Sequence, residues 1–560
     1  MRKLVLLAVL LALLLLPTGA SAALGDLFIV SRADGPDGAL GNLNSTLPLR
    51  TISADGRYVV IDSRAMNLTD PLPAGRNIFR RDRLLGRTEL VSRATGVNGA
   101  PGDDNSFVAS ISADGQRVAF TSGADNLSNA DDNAYNNIFV RDFTQGTTIL
   151  ASRASGAGGA AANGTSLSPL ISSDGTVVAF QSQANNLDPT VTDNNVQVDA
   201  FVRDLKDDTT RLISKSTGNV LGNGLSTVAD LSANGNKVVI ETEADNLGGT
   251  ITADTNTYVR DRAAGTTTLV SQPTGTSNAG ANESAGAATI DDTGNLIVFE
   301  SRASNLAGDA PPDRSQIYLR DLSAATTTLI SRSATGAPGD SHSSTPVIAV
   351  NGKFVSFVSE ADNLDGPASN SDQGFVRDLA TGETLLVTRA GRDGAPAQSG
   401  VSLVSSGHSD RFIAFSTDAN NLVPEAGSAV YQVFMRDAFV VDPPPAVTIA
   451  GKRFTAKLGK RKFRLKVTTS GGATKITARA TIRVSKKIAR RKKIVLKRIS
   501  VNVPAARTSH TLTFRLTKKQ NKLLLKALKT KRTRLRVSVA LNATGAGPAG
   551  SATVAGRLRR

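Results

Sequence analysis

Cysteine is absent from all 560 residues. That excludes disulfides, thiolate metal sites and cysteine nucleophiles, and it removes the residue through which an exported lipoprotein carries its lipid. Tryptophan is absent as well, and aromatic residues make up only 4% of the chain. Histidine occurs three times, at His342, His408 and His510, so histidine-based acid–base chemistry has little to draw on. Neither the nucleophile-elbow pattern nor HExxH is present. No cofactor-binding motif stands out, and no metal site is expected.

Long apolar runs are also missing, with one exception. Leu4–Leu16 is unbroken, preceded by Arg2 and Lys3 and followed by Pro17 and by Ala20-Ser21-Ala22. It is shorter than the roughly 20 residues that a spanning helix needs. The pattern predicts a signal peptide over 1–22, cleaved near Ala22, and a secreted, periplasmic or cell-surface protein with no transmembrane segment in the mature chain.

Acidic residues are missing from one part of the chain. Residues 1–442 carry 32 Lys and Arg against 48 Asp and Glu, whereas residues 443–560 carry 33 Lys and Arg and no Asp or Glu. The net +17 therefore conceals an acidic piece and a very basic one. Two pieces so different are expected to be separate domains with different partners.

What is present is repetition. A tight glycine turn recurs at Gly56, Gly115, Gly175, Gly235, Gly294 and Gly352, with a seventh copy near Ser409-Asp410 that lacks the glycine. Asn-Leu follows each turn, at Asn67, Asn126, Asn186, Asn246, Asn305, Asn363 and Asn421. Arg-Asp comes next, ending at Asp82, Asp142, Asp204, Asp261, Asp321, Asp378 and Asp437. Each repeat holds four short runs rich in Val, Ile, Phe and Thr, punctuated by Gly, Asp and Asn. Four strands per repeat, arranged radially, make a propeller blade. The seventh repeat stops after its third strand, and residues 27–32 supply a matching fourth. The sequence therefore predicts an all-β chain: a seven-bladed β-propeller over 23–440, closed by its N-terminal strand, followed by a small basic β-sandwich-like domain.

The repeat (a turn ending in Asp-Gly, a strand like VVAF or RVAF, then IFVRD, then TTLVSR) resembles the TolB-type propeller repeat, a WD-repeat-like family of exported bacterial proteins. The resemblance covers about residues 24–440. The usual Pro before Asp-Gly is absent and no N-terminal α/β domain is recognisable, so a Tol-system role is not implied. The resemblance implies fold and location only.

Residues shared by all seven repeats are expected to serve the blade. Each Asn is read as bonding its own backbone at a strand end, each Leu as filling the inter-blade core, and each Asp as accepting backbone N–H bonds. The seven Arg before those Asp are expected to pair with a carboxylate or carbonyl between blades. The long connections share one end of the ring and differ between blades, as a ligand face would. Its candidate residues are Asp103, Asp104, Asp131, Asp132, Asp193 and Asp254. Such loops offer oxygen ligands for calcium, but none has full EF-hand spacing, and solvated loops explain them better. His408-Ser409-Asp410 spells the letters of a catalytic triad. Neighbours on one turn cannot form a relay, so it is read as a turn.

Residues 441–447 are read as a Pro-rich linker and 448–560 as a basic, immunoglobulin-like domain with a short helix near 518–529. Lys486, Lys487, Arg490, Arg491, Lys492 and Lys493 are its candidate polyanion-binding residues. Only Phe454, Phe463 and Phe514 could stack on bases there, which makes nucleic acid a poor partner. An anionic envelope polymer or lipid surface is the expected partner, with docking on the acidic propeller or simple solubilisation as alternatives. The functional expectation is an exported, non-enzymatic binding or scaffold protein whose propeller face recognises a protein or glycan. The alternative is a propeller enzyme acting on a polysaccharide or lactone through loop-face carboxylates, which leave no local sequence signature.

Overall fold

The computed structural model describes residues 26–437, apart from 70–74, 131–134, 276–277, 309, 312, 367–370, 392–393, 403 and 426–429. Beyond 437 it describes the backbone of nine strands, with side chains only at 513–518, 520 and 522. The signal-peptide expectation over 1–22, and the side chains of Asp131, Asp132, Lys486, Lys487, Arg490, Arg491, Lys492 and Lys493, lie outside the described residues. Among the described residues no helix is long and apolar enough to cross a membrane.

The chain divides into two compact units, one of them Leu24–Ala438. That unit is seven four-stranded antiparallel sheets. Blade two shows the pattern: Ser106–Ile111, Arg117–Ser122, Asn137–Asp142 and Thr147–Leu150, paired in chain order. The second and third strands are buried on both faces, which is why they read as continuous Val, Ile, Ala and Phe rather than as alternation. In five blades a stacked aromatic pair bridges these two strands, with ring centroids 5.5–6.0 Å apart. Successive blades share cores. Val60 and Ile78 of blade one pack with Val118, Phe120, Leu127 and Phe139 of blade two.

Closure follows the expected route. Leu27–Ile29 pairs antiparallel with Gln432–Asp437, so the N-terminal strand becomes the fourth strand of blade seven. Phe28 lies opposite Met435, about four hundred residues away along the chain.

The recurring residues hold the ring together. Each of the seven Asn donates from Nδ2 to a carbonyl at 2.8–3.0 Å and accepts a backbone N–H at 3.0–3.3 Å. Both partners lie on the connection that enters the blade, for example Pro101 and Asp103 for Asn126. The expectation of a bond to its own strand end is corrected accordingly: the Asn side chain bridges 23 to 27 residues back. The Leu after each Asn is buried, from Leu187 at 0% to Leu422 at 4% exposed. The Asp of Arg-Asp accepts N–H bonds in its own turn, as Asp142 does from Thr144 and Gln145.

The seven Arg bind carbonyls on the glycine-rich connection between blades. Arg81 donates to Ala33 and Gly35, Arg141 to Ala94 and Gly96, Arg203 to Ala154 and Gly156, and Arg260 to Lys215 and Ser216. Arg320 reaches Pro273 and Gly275, Arg377 reaches Arg332 and Ser333, and Arg436 reaches Arg389 and Gly391. The glycine-rich connections are therefore bound to the ring rather than free at a ligand face.

The second unit carries a three-stranded sheet and a larger one built around Ala473–Arg483 and Leu535–Gly545. One pairing is parallel, Phe454–Lys457 with Gly550–Arg559. The strand Ala446–Thr448 begins inside the span read as linker. The backbone is helical at Lys518, Gln520 and Lys522. Thr517 and Gln520 exchange side-chain-to-backbone bonds as a capping box, which starts a helix where the sequence expected one.

Candidate functional site: the central channel

Where all seven blades agree, the residues are spent on the ring. A site must come from positions where they disagree. The position two residues before the recurrent turn glycine, or before Asp410 where blade seven lacks it, is such a position. It is Ala54, Ala113, Ser173, Ala233, Asp292, Val350 and His408. Backbone bonds join these turns around the channel: Ala54 N–H to Ala113, Ala113 to Ser173, Ala233 to Asp292 and Asp292 to Val350. The turn of blade seven closes on blade one through His408 N–H to the Ile52 carbonyl at 2.8 Å. Gly407 permits that approach, since a Cβ there would lie 2.5 Å from the Ile52 nitrogen.

The three polar members of the ring meet across the channel. Ser173 Oγ lies 2.9 Å from Asp292 Oδ1 and 3.1 Å from His408 Nδ1. His408 Nε2 lies 2.7 Å from the carbonyl of Ile111 in blade two. His408 is 2% exposed, while the Asp292 side chain is 34% exposed. Beside them, Arg50 of blade one clamps Asp230 of blade four through two bonds of 2.5 and 2.7 Å. It also donates to the carbonyls of Leu231 and Ile290, each at 2.9 Å. Its Nη1 is 4.0 Å from Asp292. Asp230 in turn accepts the N–H of Ile290 in blade five. Five side chains thus tie six blades together at the short-turn end.

This arrangement does not suit nucleophilic catalysis. In a relay the histidine stands between serine and carboxylate; here the serine stands between the other two. Burial, and then the charge of Arg50, push His408 down to about 3, too weak a base to take a hydroxyl proton at neutral pH. The His408-Ser409-Asp410 turn behaves as expected: Ser409 Oγ accepts the N–H of Phe412 and Asp410 faces solvent. The reach of His408 into the channel was missed. The signal was available in the odd column of small and polar residues just before the recurrent glycine.

At the long-connection end, Asp103 accepts the N–H of Asp125, Asp104 accepts from Asn105, and both are exposed. Asp193 is half-buried and burial raises its pKa; Asp254 is exposed. Asp103 and Asp104 are neighbours on one connection while Asp193 and Asp254 lie on other blades, and among the described residues no hydrogen bond joins these carboxylates to one another. Three carboxylates not singled out from sequence lie at this end. Asp62 accepts the N–H of Val108, Glu241 that of Ala288 and Glu300 that of Thr345. Val108 and Thr345 have φ of 45° and 47°, and Ala287, beside Ala288, has 49°. The carboxylates therefore stabilise bulges in the next blade's first strand. Burial, and then the Glu300 charge, raise Glu241. Among the described residues no group of three or more His, Cys, Asp and Glu is placed to hold a metal ion.

No protein-family model matches the chain, and no curated protein matches it. Solved propellers of the TolB and WD40 kinds are among the similar structures. An Agrobacterium tumefaciens protein assigned as a TolB shares 15% identity over 56% of this chain and 89% of its own, with a TM-score of 0.33. The propeller domain of the Trilobed protease from Pyrococcus furiosus shares 12% over 71% and 95%, at 0.41. The RRP9 WD40 repeats share 10% over 74% and 98%, at 0.36. At these identities the likeness is one of fold.

Proposed function

We propose that this protein is an exported, non-enzymatic binding scaffold. Its propeller would recognise a protein or glycan at the long-connection end, and its basic C-terminal region would attach to an anionic envelope surface. One observation carries the reading. The polar side chains that recur in every blade bind neighbouring backbone, whereas the connections between second and third strands leave apolar groups in water. Tyr135 is 44% exposed and Val196 is 96% exposed, with Val196 held at φ 59°. A β-branched residue at positive φ is strained, and such strain collects at contact sites. The net charge of 443–560 supports attachment to a polyanion.

The test compares the mature protein with a 23–442 truncation on a polyanion-bearing envelope fraction across a salt series. Binding by the full chain alone, falling steeply with salt, supports the anchor. Equal binding by both, or by neither, overturns it. Tyr135→Ala with Val196→Asp should abolish capture at the propeller face and leave the salt-dependent attachment intact.

A further inference from the structure

Six blades meet at the short-turn end through hydrogen bonds whose protons can be counted. A carbonyl only accepts, so the bond to Ile111 places a proton on His408 Nε2. Ser173 has one hydroxyl proton, yet its oxygen is within bonding distance of two groups that, as neutral imidazole and carboxylate, both accept. Both contacts are hydrogen bonds only if the chain Asp292–Ser173–His408 carries one further proton, on Nδ1 or on Asp292.

We propose that Asp292 carries this proton and that the chain is a proton-operated latch across the propeller channel, tying blade seven to blades three and five. With the proton in place the order is Asp292 O–H to Ser173 Oγ, Ser173 O–H to His408 Nδ1, and His408 Nε2–H to Ile111. Enclosure of His408 beside Arg50 disfavours an imidazolium there. Burial raises Asp292, against the pull of Arg50 and of the Ser173 hydroxyl and with help from the charges of Asp230 and Asp291. Arg50, Asp230 and Asp291 are the charged groups that act on the chain, and the other ring members, Ala54, Ala113, Ala233 and Val350, carry none.

When the proton leaves, Ser173 can serve only one acceptor. An ionised carboxylate is the stronger acceptor, so Ser173 turns to Asp292 and His408 Nδ1 loses its bond. Asp292, now anionic, is drawn to Arg50 Nη1. The bond that opens joins blade three to blade seven, and blade seven is the one completed by the N-terminal strand. The latch therefore reports proton concentration at the closure seam. This inference is independent of what the long-connection end binds.

The experiment uses the whole chain labelled with nitrogen-15 at its three histidines, followed by side-chain NMR between about pH 4 and pH 8, the range that brackets a raised carboxyl group. The expected result is a step in the Nδ1 shift of His408 while Nε2 stays protonated throughout. In Asp292→Asn the amide donates to Ser173 at every pH, so the step should vanish. In Ser173→Ala the high-pH shift should persist at all pH values. A step of equal size in Asp292→Asn, no step in the native chain, or an imidazolium signal from His408 overturns the proposal. Ser173→Ala decides the matter if Asp292→Asn does not fold.

Discussion

At the residue scale, single departures from the repeat carry the chemistry. The third strand opens with an amide in six blades: Asn77, Asn137, Asn256, Gln316, Gln373 and Gln432. Blade three has Asp199. A hydroxyl donates to each, including Ser214 to Asp199 at 2.6 Å, but the other oxygen of Asp199 is enclosed. Burial, with the charge of Asp193 adding to it, pushes Asp199 up to about 6. The folded state therefore holds this proton more tightly than the unfolded state. Its contribution is most favourable below about pH 4, declines as pH rises to about 6, and is constant above. Asp199→Asn should stabilise the protein at pH 7 by roughly 2–3 kcal/mol and change little at pH 4. Urea unfolding followed by circular dichroism, in a chain without tryptophan, checks this. Equal gains at both pH values would contradict it.

His408 works in the opposite direction. Its folded pKa is about 3, below the ordinary 6.5, so the unfolded state takes up the proton first. Stability from this term is full above about pH 6.5 and is lost as pH falls toward 3. His408→Gln should unfold less steeply between about pH 6 and pH 4. A native-like slope in the variant would mean that another group dominates acid unfolding. Neither residue was legible from local sequence pattern, because enclosure in the channel or against a neighbouring strand depends on ring closure. Both were visible as odd members of otherwise regular columns.

At the element scale, the blade was legible in detail. Strand content, turn residues, the inter-blade role of Arg and the role of Asp within its own turn followed from spacing and side-chain chemistry. The Asn role was misplaced, since its partners arrive from the incoming connection, which sequence adjacency does not reveal. The Arg clamp should be measurable. Arg260→Met removes the guanidinium's bonds to the carbonyls of Lys215 and Ser216 and to Thr267 Oγ1, at a cost of about 1–3 kcal/mol for bonds from a charged donor. Arg57→Met removes an ion pair to Asp82 from a side chain that is one-third exposed, where solvent screens the pair, and should cost less than Arg260→Met. Melting temperatures that fall equally in the two variants would show that the clamp contributes nothing particular.

At the scale of the whole molecule, closure couples the ends of a ring whose sheets pack on their neighbours and whose non-neighbouring blades meet through the side chains that cross the channel. Such arrays gain stability from each interface, and an open end exposes two blade faces at once. The count of seven and the closing strand were both readable, because the seventh repeat lacks a strand that residues 27–32 supply. The C-terminal sheets were less readable: the parallel pairing of 454–457 with 550–559 joins segments with no sequence signal linking them. The bonds Val30 N–H to Val433 and Asp437 N–H to Asp26 flank Phe28 at even spacing and place its N–H in the ladder with Met435. Phe28→Pro removes that donor without touching the channel. If closure stabilises the ring, this one change at an edge strand should lower the urea midpoint of the entire propeller, with protease sensitivity rising in blades one and seven together. A midpoint equal to that of the native chain, with cleavage confined to the N-terminal strand, would mean that the inter-blade clamps hold the ring without its closing strand.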